Sequence, residues 1–302
     1  MSIDLRRSRS LKKPFDIVLA SVALVGFFLA YVGFSLGGIW IGLGWLMLVC
    51  EGILAYGVFI EPQRLEVIRY RSALAKEPSE WIKIALLSDF HAGDFRFRDW
   101  FARVAREVQA LKPDLILLGG DYVCYRADTI SELEPLRDLQ APLGKYFVMG
   151  NHDYFDAPEK IVAYVKGLGY SDLTNSVVDV ERGGRKLEVL GLDDPWHGSP
   201  MMKRRSSAET AHIILAHEPD MLLDLKEGDT DLVLCGHVHS GQVRFPLIGS
   251  LRPIPAKLGR RVERGEVRIN GVPCIISNGL GECDARPRLL ARPQIVLVEV
   301  GI

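Results

Sequence analysis

The chain has 302 residues, with 37 Lys+Arg against 38 Asp+Glu and a formal net charge of −1. At 48% apolar and 25% charged it is neither disordered nor a polybasic nucleic-acid binder, and it is long enough for one large domain or two modest ones. The five cysteines (Cys50, Cys124, Cys235, Cys274 and Cys283) show no CxxC spacing, which argues against a disulfide framework and against a cysteine-based zinc site.

Apolar residues concentrate near the N-terminus. Phe15 to Leu36 reads FDIVLASVALVGFFLAYVGFSL with only Asp16 charged, and Gly38 to Ile60 reads GIWIGLGWLMLVCEGILAYGVFI with only Glu51 charged. Each stretch exceeds twenty residues, enough for a helix to cross a hydrocarbon core of about 30 Å. Gly37 and Gly38 break them, so a transmembrane helical hairpin is expected over residues 1–60, basic N-terminus included, ahead of a domain at 61–302. A secretory signal is the alternative, but the apolar stretch is too long and no small-x-small site closes it. Arg6, Arg7, Arg9, Lys12 and Lys13 precede the first span, and Arg64, Arg69, Arg71 and Lys76 follow the second. Both flanks then belong in the cytoplasm, making a multi-pass protein of the inner membrane with its domain on the cytoplasmic face. Reading Arg6-Arg7 as a twin-arginine export signal would put the domain outside; Ser8-Arg9-Ser10-Leu11 sets a charge where that signal has a large apolar residue.

Beyond the hairpin, strand-like and helix-like stretches alternate. Leu65–Tyr70 and Trp81–Leu87 read as strands, and the spacing of Trp100, Phe101, Val104, Val108 and Leu111 predicts a helix with one buried face, stopped at Lys112-Pro113-Asp114. A short strand at Leu115–Leu118, a helical stretch near Ser131–Leu139, a strand at Tyr146–Met149 and a helix over Pro158–Leu168 continue the alternation. The second half is richer in strands: Lys186–Leu190, Ile213–Leu215, Leu232–Leu234, Val267–Ile269, Cys274–Ser277 and Ile295–Val300. Ser199–Glu209 (SPMMKRRSSAE) reads as a mobile loop.

Polar groups recur where strands end, the position of functional groups in layered α/β folds. In order the clusters are Asp89-Phe90-His91, Gly119-Gly120-Asp121, Gly150-Asn151-His152-Asp153, Ala216-His217-Glu218 and Gly236-His237-Val238-His239. Each has an ordinary reading alone: a surface pair, a turn, a helix cap, a core histidine. Together they hold five of the seven histidines; His197 and His212 fall outside and read as structural. Carboxylate, imidazole and amide oxygen suit Mn, Fe, Zn or Co, and such a set exceeds the needs of one tetrahedral ion.

The order D-x-H, G-D, G-N-H-D, H, G-H-x-H resembles that of the calcineurin-like metallophosphoesterases. The flanking text (LLSDFHAG, LILLGGDYV, LAHEPD, CGHVHSGQVRFPLIG) is similar to the bacterial membrane-linked branch of YkuE- and YaeI-type phosphodiesterases and UDP-diacylglucosamine hydrolases. The resemblance spans Trp81 to the end of the sequence. It implies an α/β fold, a four-layer sandwich of two mixed β-sheets flanked by helices. It also implies two divalent transition-metal ions, manganese foremost: one on Asp89, His91 and His239, the other on Asn151, His217 and His237, with Asp121 bridging. His152 would stand at the leaving group and Asp153 would orient its ring. Two cations about 3.5–4 Å apart lower the pKa of a shared water and neutralise phosphate charge, which suits hydrolysis of a phosphodiester or pyrophosphate.

The hairpin points to a substrate resident at the membrane, such as a phospholipid or a UDP-diacylglucosamine-type molecule. Met201-Met202 beside Lys203-Arg204-Arg205 has the make-up of an interfacial loop, or of an ordinary solvated one. Arg252, Arg260, Arg261, Arg286, Arg288 and Arg292 are candidates for a second phosphate. The alternatives are a phosphatase of soluble nucleotides or phosphoproteins merely localised by its anchor, and a non-catalytic scaffold. An intact ligand set speaks against the scaffold.

Overall fold

The computed structural model describes residues 12–302, with side chains from Ile17 onward. Arg6, Arg7 and Arg9 lie outside the described residues, as do the side chains of Lys12, Lys13 and Asp16.

Helix α1 (Lys12–Leu36) and helix α2 (Trp40–Ala55) form an antiparallel pair. Gly37 and Gly38 turn the chain with φ of 68° and 57°, a left-handed conformation that glycine enters without steric cost. The pair packs closely: a Cβ at Gly33 would fall 3.0 Å from the Gly44 amide nitrogen. Glu51 faces the bare backbone of Gly26, so the one carboxylate of α2 lies between the helices. Large apolar side chains point outward instead, with Leu24 71% and Trp45 61% exposed. The stretches Ile17–Leu36 and Trp40–Gln63, the second counting the helical turns that follow α2, are long and apolar enough to cross a membrane.

After α2 the chain tightens through a π-helical turn (Tyr56–Ile60) and a 3₁₀ turn (Glu61–Gln63). These turns dock on the segment 281–292. The Arg288 amide donates to Gly57 O (2.8 Å), and the Ala291 amide donates to Glu61 Oε1 (2.8 Å). Arg96 reaches Pro62 O with one guanidinium nitrogen, which also donates to Glu282 Oε1 at 2.6 Å.

The strands of the first half are β1 (Glu66–Ala73), β2 (Trp81–Leu87), β3 (Leu115–Leu118), β4 (Lys145–Phe147), β5 (Ser171–Asp172), β6 (Val177–Arg182) and β7 (Arg185–Gly191). The second half adds β8 (Ala211–Leu215), β9 (Leu232–Cys235), β10 (Arg244–Phe245), β11 (Gly249–Ser250), β12 (Gly265–Ile269), β13 (Val272–Ile276) and β14 (Gln294–Gly301). They form two mixed six-stranded sheets, β1-β14-β2-β3-β4-β5 and β12-β13-β9-β8-β7-β6, with β10-β11 as a separate hairpin. In the first sheet β2, β3, β4 and β5 run parallel; in the second β7, β8, β9 and β13 do.

The sheets meet face to face. Ile82, Ile84, Leu86, Leu115 and Leu117 of one share a buried core with Val189, Ile213, Leu215, Leu232 and Leu234 of the other. Helix α3 (Arg98–Ala110) covers the outer face of the first sheet with Trp100, Phe101, Val104 and Val108, joined by Ile161 and Val165 of helix α4 (Pro158–Gly167). The outer face of the second sheet lacks α-helices among the described residues; the 3₁₀ turns Pro219–Leu223 and Gly259–Val262 and adjoining loops cover it. The stretch near Ser131–Leu139 is also 3₁₀ (Ala127–Asp138) and not α-helical, since Pro135 inside it removes a backbone donor. Residues 199–209 have no regular structure, yet Arg205 pins them: its guanidinium donates twice to Asp231, at 3.0 Å each. Of that basic run, Lys203 and Arg204 are exposed and Arg205 is half-buried.

Candidate metal centre

The parallel strands of both sheets end on one edge, and there the polar clusters gather. Asp89 and His91 follow β2, Asp121 follows β3, Asn151 and His152 follow β4, His217 follows β8, and His237 and His239 follow β9. Asp89, His91, Asp121, His237 and His239 all have φ between 43° and 70°. Left-handed backbone costs a non-glycine residue roughly 1 kcal/mol or more, so the surrounding packing holds five such bends to aim these side chains. Close backbone approach accounts for the glycines between them: a Cβ at Gly120 would lie 2.4 Å from the Gly150 amide nitrogen.

Two groups result, Asp89/His91/His239 and Asp121/His217/His237, all buried. In the first, Nε2 of His239 is 2.9 Å from Nε2 of His91 and 3.3 Å from Asp89 Oδ1. In the second, His217 donates from Nδ1 to Gly119 O (2.7 Å), which turns its Nε2 toward Asp121 Oδ2 at 3.2 Å and Asn151 Oδ1 at 3.2 Å. His237 donates from Nε2 to Pro255 O (2.9 Å), so its Nδ1 is the atom facing Asn151 Oδ1 at 3.1 Å. Asp121 joins the groups: its Oδ2 is also 3.5 Å from His91 Nε2.

Beside them lies a cavity of about 220 Å³, lined by Asp121, Asn151, His152, Trp196, His237, His239, Arg252 and Cys283 among others. His152 enters it with Nε2 3.5 Å from Cys283 Sγ, while its Nδ1 donates to Cys124 O at 2.6 Å. That carbonyl, and not Asp153, orients the ring. The Asp153 carboxylate instead accepts from the amides of Gly150, Asp121 and Tyr122 at 2.8–2.9 Å, tying the loops after β3 and β4 together. The expected orienting role of Asp153 is therefore replaced by a clamp on the backbone.

The family model for calcineurin-like phosphoesterases matches residues 82–241. The chain belongs to that family. It is 31% identical over 252 residues to phosphodiesterase YaeI of Escherichia coli (strain K12), covering 81% of this chain and 92% of that protein. The metallophosphoesterase YkuE of Bacillus subtilis (strain 168) is 30% identical over 267 residues, covering 83% and 90%. A metallophosphoesterase of Helicobacter pylori (strain J99) is 30% identical over 289 residues, covering 91% and 70%. The phosphoesterase is thus a metal-dependent hydrolase, of a family that typically binds two metal ions.

The residues present fit such ions. His217 Nε2, His237 Nδ1, Asn151 Oδ1 and Asp121 Oδ2 crowd together with no Lys or Arg among them, and the Asp121 carboxylate outweighs burial to hold the His217 imidazole well above its ordinary range, a role a metal cation would take over. Burial pushes the Asp89 carboxyl up to about 6, an effect the nearby Asp121 reinforces, and burial holds His91 down to about 3. Burial also pulls on His152, but the Asp121 carboxylate and the contacts to Cys283 and Cys124 O outweigh it and lift the imidazole to about 10.

Some neighbours escaped sequence reasoning. Cys124 and Cys283 stand beside His91 and His152, with their ligand atoms all within 4.8 Å of one another. Trp196 packs edge-on against His237 (4.9 Å). Of the late arginines, Arg252 reaches the cavity, Arg288 is wholly buried, Arg260 bonds Ile248 O and Ser250 O, and Arg292 lies 3.9 Å from Glu66. No pattern in sequence distinguishes Cys283 or Arg288 from their neighbours.

Proposed function

We propose that this phosphoesterase is a membrane-anchored phosphodiesterase that cleaves a phosphodiester or pyrophosphate bond in a substrate presented at the bilayer, a phospholipid or UDP-diacylglucosamine-type lipid. Asp89, His91 and His239 would hold one divalent ion, Asn151, His217 and His237 the other, and Asp121 would be shared. The single observation that carries this reading is Asp121 Oδ2, which lies within 3.5 Å of a histidine from each group. When bound, the two ions, manganese first among the candidates, supply Lewis acidity toward the phosphate and a nucleophile deprotonated at neutral pH.

The chain's own residues do the rest. Asp121 and the contacts to Cys283 and Cys124 O favour the protonated His152 imidazole, which faces the cavity through Nε2; in that form it stabilises the departing oxygen and passes it that proton. Its Nδ1 stays bonded to Cys124 O, which keeps the ring in one orientation throughout. Arg252, at the cavity and 3.7 Å from Asp284, is placed to receive a non-bridging phosphate oxygen. Asp153 keeps the loops carrying Asp121 and Asn151 in fixed relation.

For anchoring, the support is the outward apolar surface of α1 and α2, which water would penalise and lipid would cover. Residues 1–60 would then form the anchor and 61–302 the catalytic domain, on the cytoplasmic side of the inner membrane. Reporter enzymes fused after Ile302, one active only in the cytoplasm and one only after export, test the orientation; an export-positive result reverses it. The substrate reading is tested with purified protein reloaded with defined metals and given lipid and soluble phosphoesters. Lipid phosphodiesters in mixed micelles are expected to turn over fastest, and preference for soluble monoesters would favour the localised phosphatase.

A further inference from the structure

The two-metal donor set contains no sulfur, yet two thiols stand at its edge. Cys124 follows β3 and Cys283 lies after β13, far apart in sequence and joined only by the fold. The Sγ atoms of both, a ring nitrogen of His152 and one of His91 all lie within 4.8 Å of one another. On a tetrahedral zinc ion with Zn–S near 2.3 Å and Zn–N near 2.0 Å, ligand atoms stand roughly 3.3–3.8 Å apart, a spacing His152 Nε2 and Cys283 Sγ approach at 3.5 Å. His152 is oriented as metal-bound histidines are, with one nitrogen donating to a main-chain carbonyl and the other turned inward. His91 is fully buried and its Nδ1 has no partner. Cys124 is 2% exposed, whereas Cys283 and His152 border the open cavity and give an ion a way in.

We propose that Cys124, Cys283 and His152 form a third metal site selective for a thiophilic cation of the Zn²⁺ class, its fourth position open to the cavity, adjoining the two-metal centre at His91. Binding is ligand exchange: the cation enters as protons on both thiols and on His152 Nε2 leave to solvent. Thiolates prefer zinc to manganese, so the site discriminates between metals that the nitrogen and oxygen donors nearby would both accept. Occupied, it ties up the His152 nitrogen that faces the cavity. Its effect on turnover rests on the role given to His152 above; its existence does not.

The experiment uses the full chain in detergent, kept anaerobic and reduced, loaded with two equivalents of Mn²⁺ and titrated with Co²⁺. One further equivalent is expected to give thiolate-to-cobalt charge-transfer absorption, which cobalt on oxygen and nitrogen donors alone lacks. Zn²⁺ should bleach the band. Cys283→Ser should abolish it, and Cys50→Ser, an exposed thiol in α2, should keep it. Because buried Cys124 is sensitive to replacement, the wild type supplies a second readout: Zn²⁺ should protect Cys283 from alkylation. Absence of the band, its survival in Cys283→Ser, or a Cys124–Cys283 disulfide in the anaerobic protein overturns the proposal. With substrate, that Zn²⁺ equivalent should slow the wild type by about the 10²–10⁴ ascribed to a general acid and spare Cys283→Ser. A band with unchanged turnover upholds the site and removes His152 from the reaction.

Discussion

The guanidinium of Arg288 ends 3.5 Å from Nδ1 of His239, while the amide of the same residue holds the Gly57 carbonyl at the foot of the helical hairpin. One residue thus touches both a candidate metal ligand and the end of the apolar helices. Arg288 is fully buried and bonds Glu282 Oε1 (3.1 Å), Asn278 O (3.0 Å), Ala291 O (2.8 Å) and Gly281 O. Without Arg288, Glu282 keeps its pairing with Arg96 (2.6 Å), but the buried carbonyls lose their donor, each at about 1–3 kcal/mol. Arg288→Met is therefore expected to cost stability of about that size, read by chemical denaturation of the metal-free protein. Arg288→Lys should recover only part, because an ammonium cannot fork between Glu282 and three carbonyls.

The shared position of Asp121 gives a ranking. Asp121→Ala should lose more turnover than His91→Ala or His217→Ala, since it weakens both groups together. Metal analysis at saturating metal should find two ions bound in the wild type in a nitrogen/oxygen environment. Appreciable turnover in Asp121→Ala, with the histidine variants dead, would show that the carboxylate is not shared.

His152 separates chemistry from metal binding. Its imidazole faces Cys283 and the cavity, and no atom of its ring bonds Asp89, Asn151, His217, His237 or His239 in the described structure. His152→Ala should keep both ions of the two-metal centre and lose about 10²–10⁴ in rate on alkyl phosphodiesters. The loss should shrink for nitrophenyl substrates, whose leaving group needs little protonation. Loss of an ion in this variant would instead make His152 a ligand of that centre.

A pH effect is expected far from the cavity. His212, in β8, is 1% exposed, its Nδ1 contacts Thr230 Oγ1 (3.0 Å) and its Nε2 has no hydrogen-bond partner. Burial lowers its pKa from the ordinary 6.5, with Glu188 opposing only in part. A base whose pKa falls on folding takes up its proton more readily when unfolded. Its contribution is whole above about pH 6.5 and is lost as the pH falls below that value. Between pH 7.5 and 5.5 the denaturation midpoint of the wild type should drop more than that of His212→Gln. Equal slopes would show that His212 titrates alike in both states.

Much of the cluster geometry was readable because each group follows its strand within a few residues, so local chain order already places it at a strand end. The strands were legible for the same reason: LILL and LVLC can only be buried. What escaped depends on atoms that a motif does not name. The ring of His152 is set by a main-chain carbonyl, so GNHD suggests its neighbour Asp153 when the orienting atom belongs to Cys124. Cys283 meets His152 only through the return of the chain after β13, and Arg205 looks like loop charge until Asp231 is seen opposite it. The 3₁₀ turns over Ala127–Asp138 keep buried Ile130, Leu133 and Leu136 at a spacing that an α-helix shares.

The pairing of β1 with β14 carries a consequence for the order of events in time. Strand β1 is the first element after the hairpin, yet its in-register neighbour is β14, Glu66 beside Gln294 and Ala73 beside Gly301, and β14 alone connects it to β2. During synthesis β1 therefore leaves the ribosome with no strand to join, and it waits until nearly the whole domain has been made. The hairpin, whose two helices pack mainly on each other, can form long before. The nascent chain is thus held at its N-terminal end by finished helices while an unpaired strand edge stays open beside them, a species that aggregates unless neighbours or chaperones cover it. Any change that slows the arrival or docking of β14 lengthens that exposure, so yield on expression should respond to β14 more sharply than equilibrium stability does.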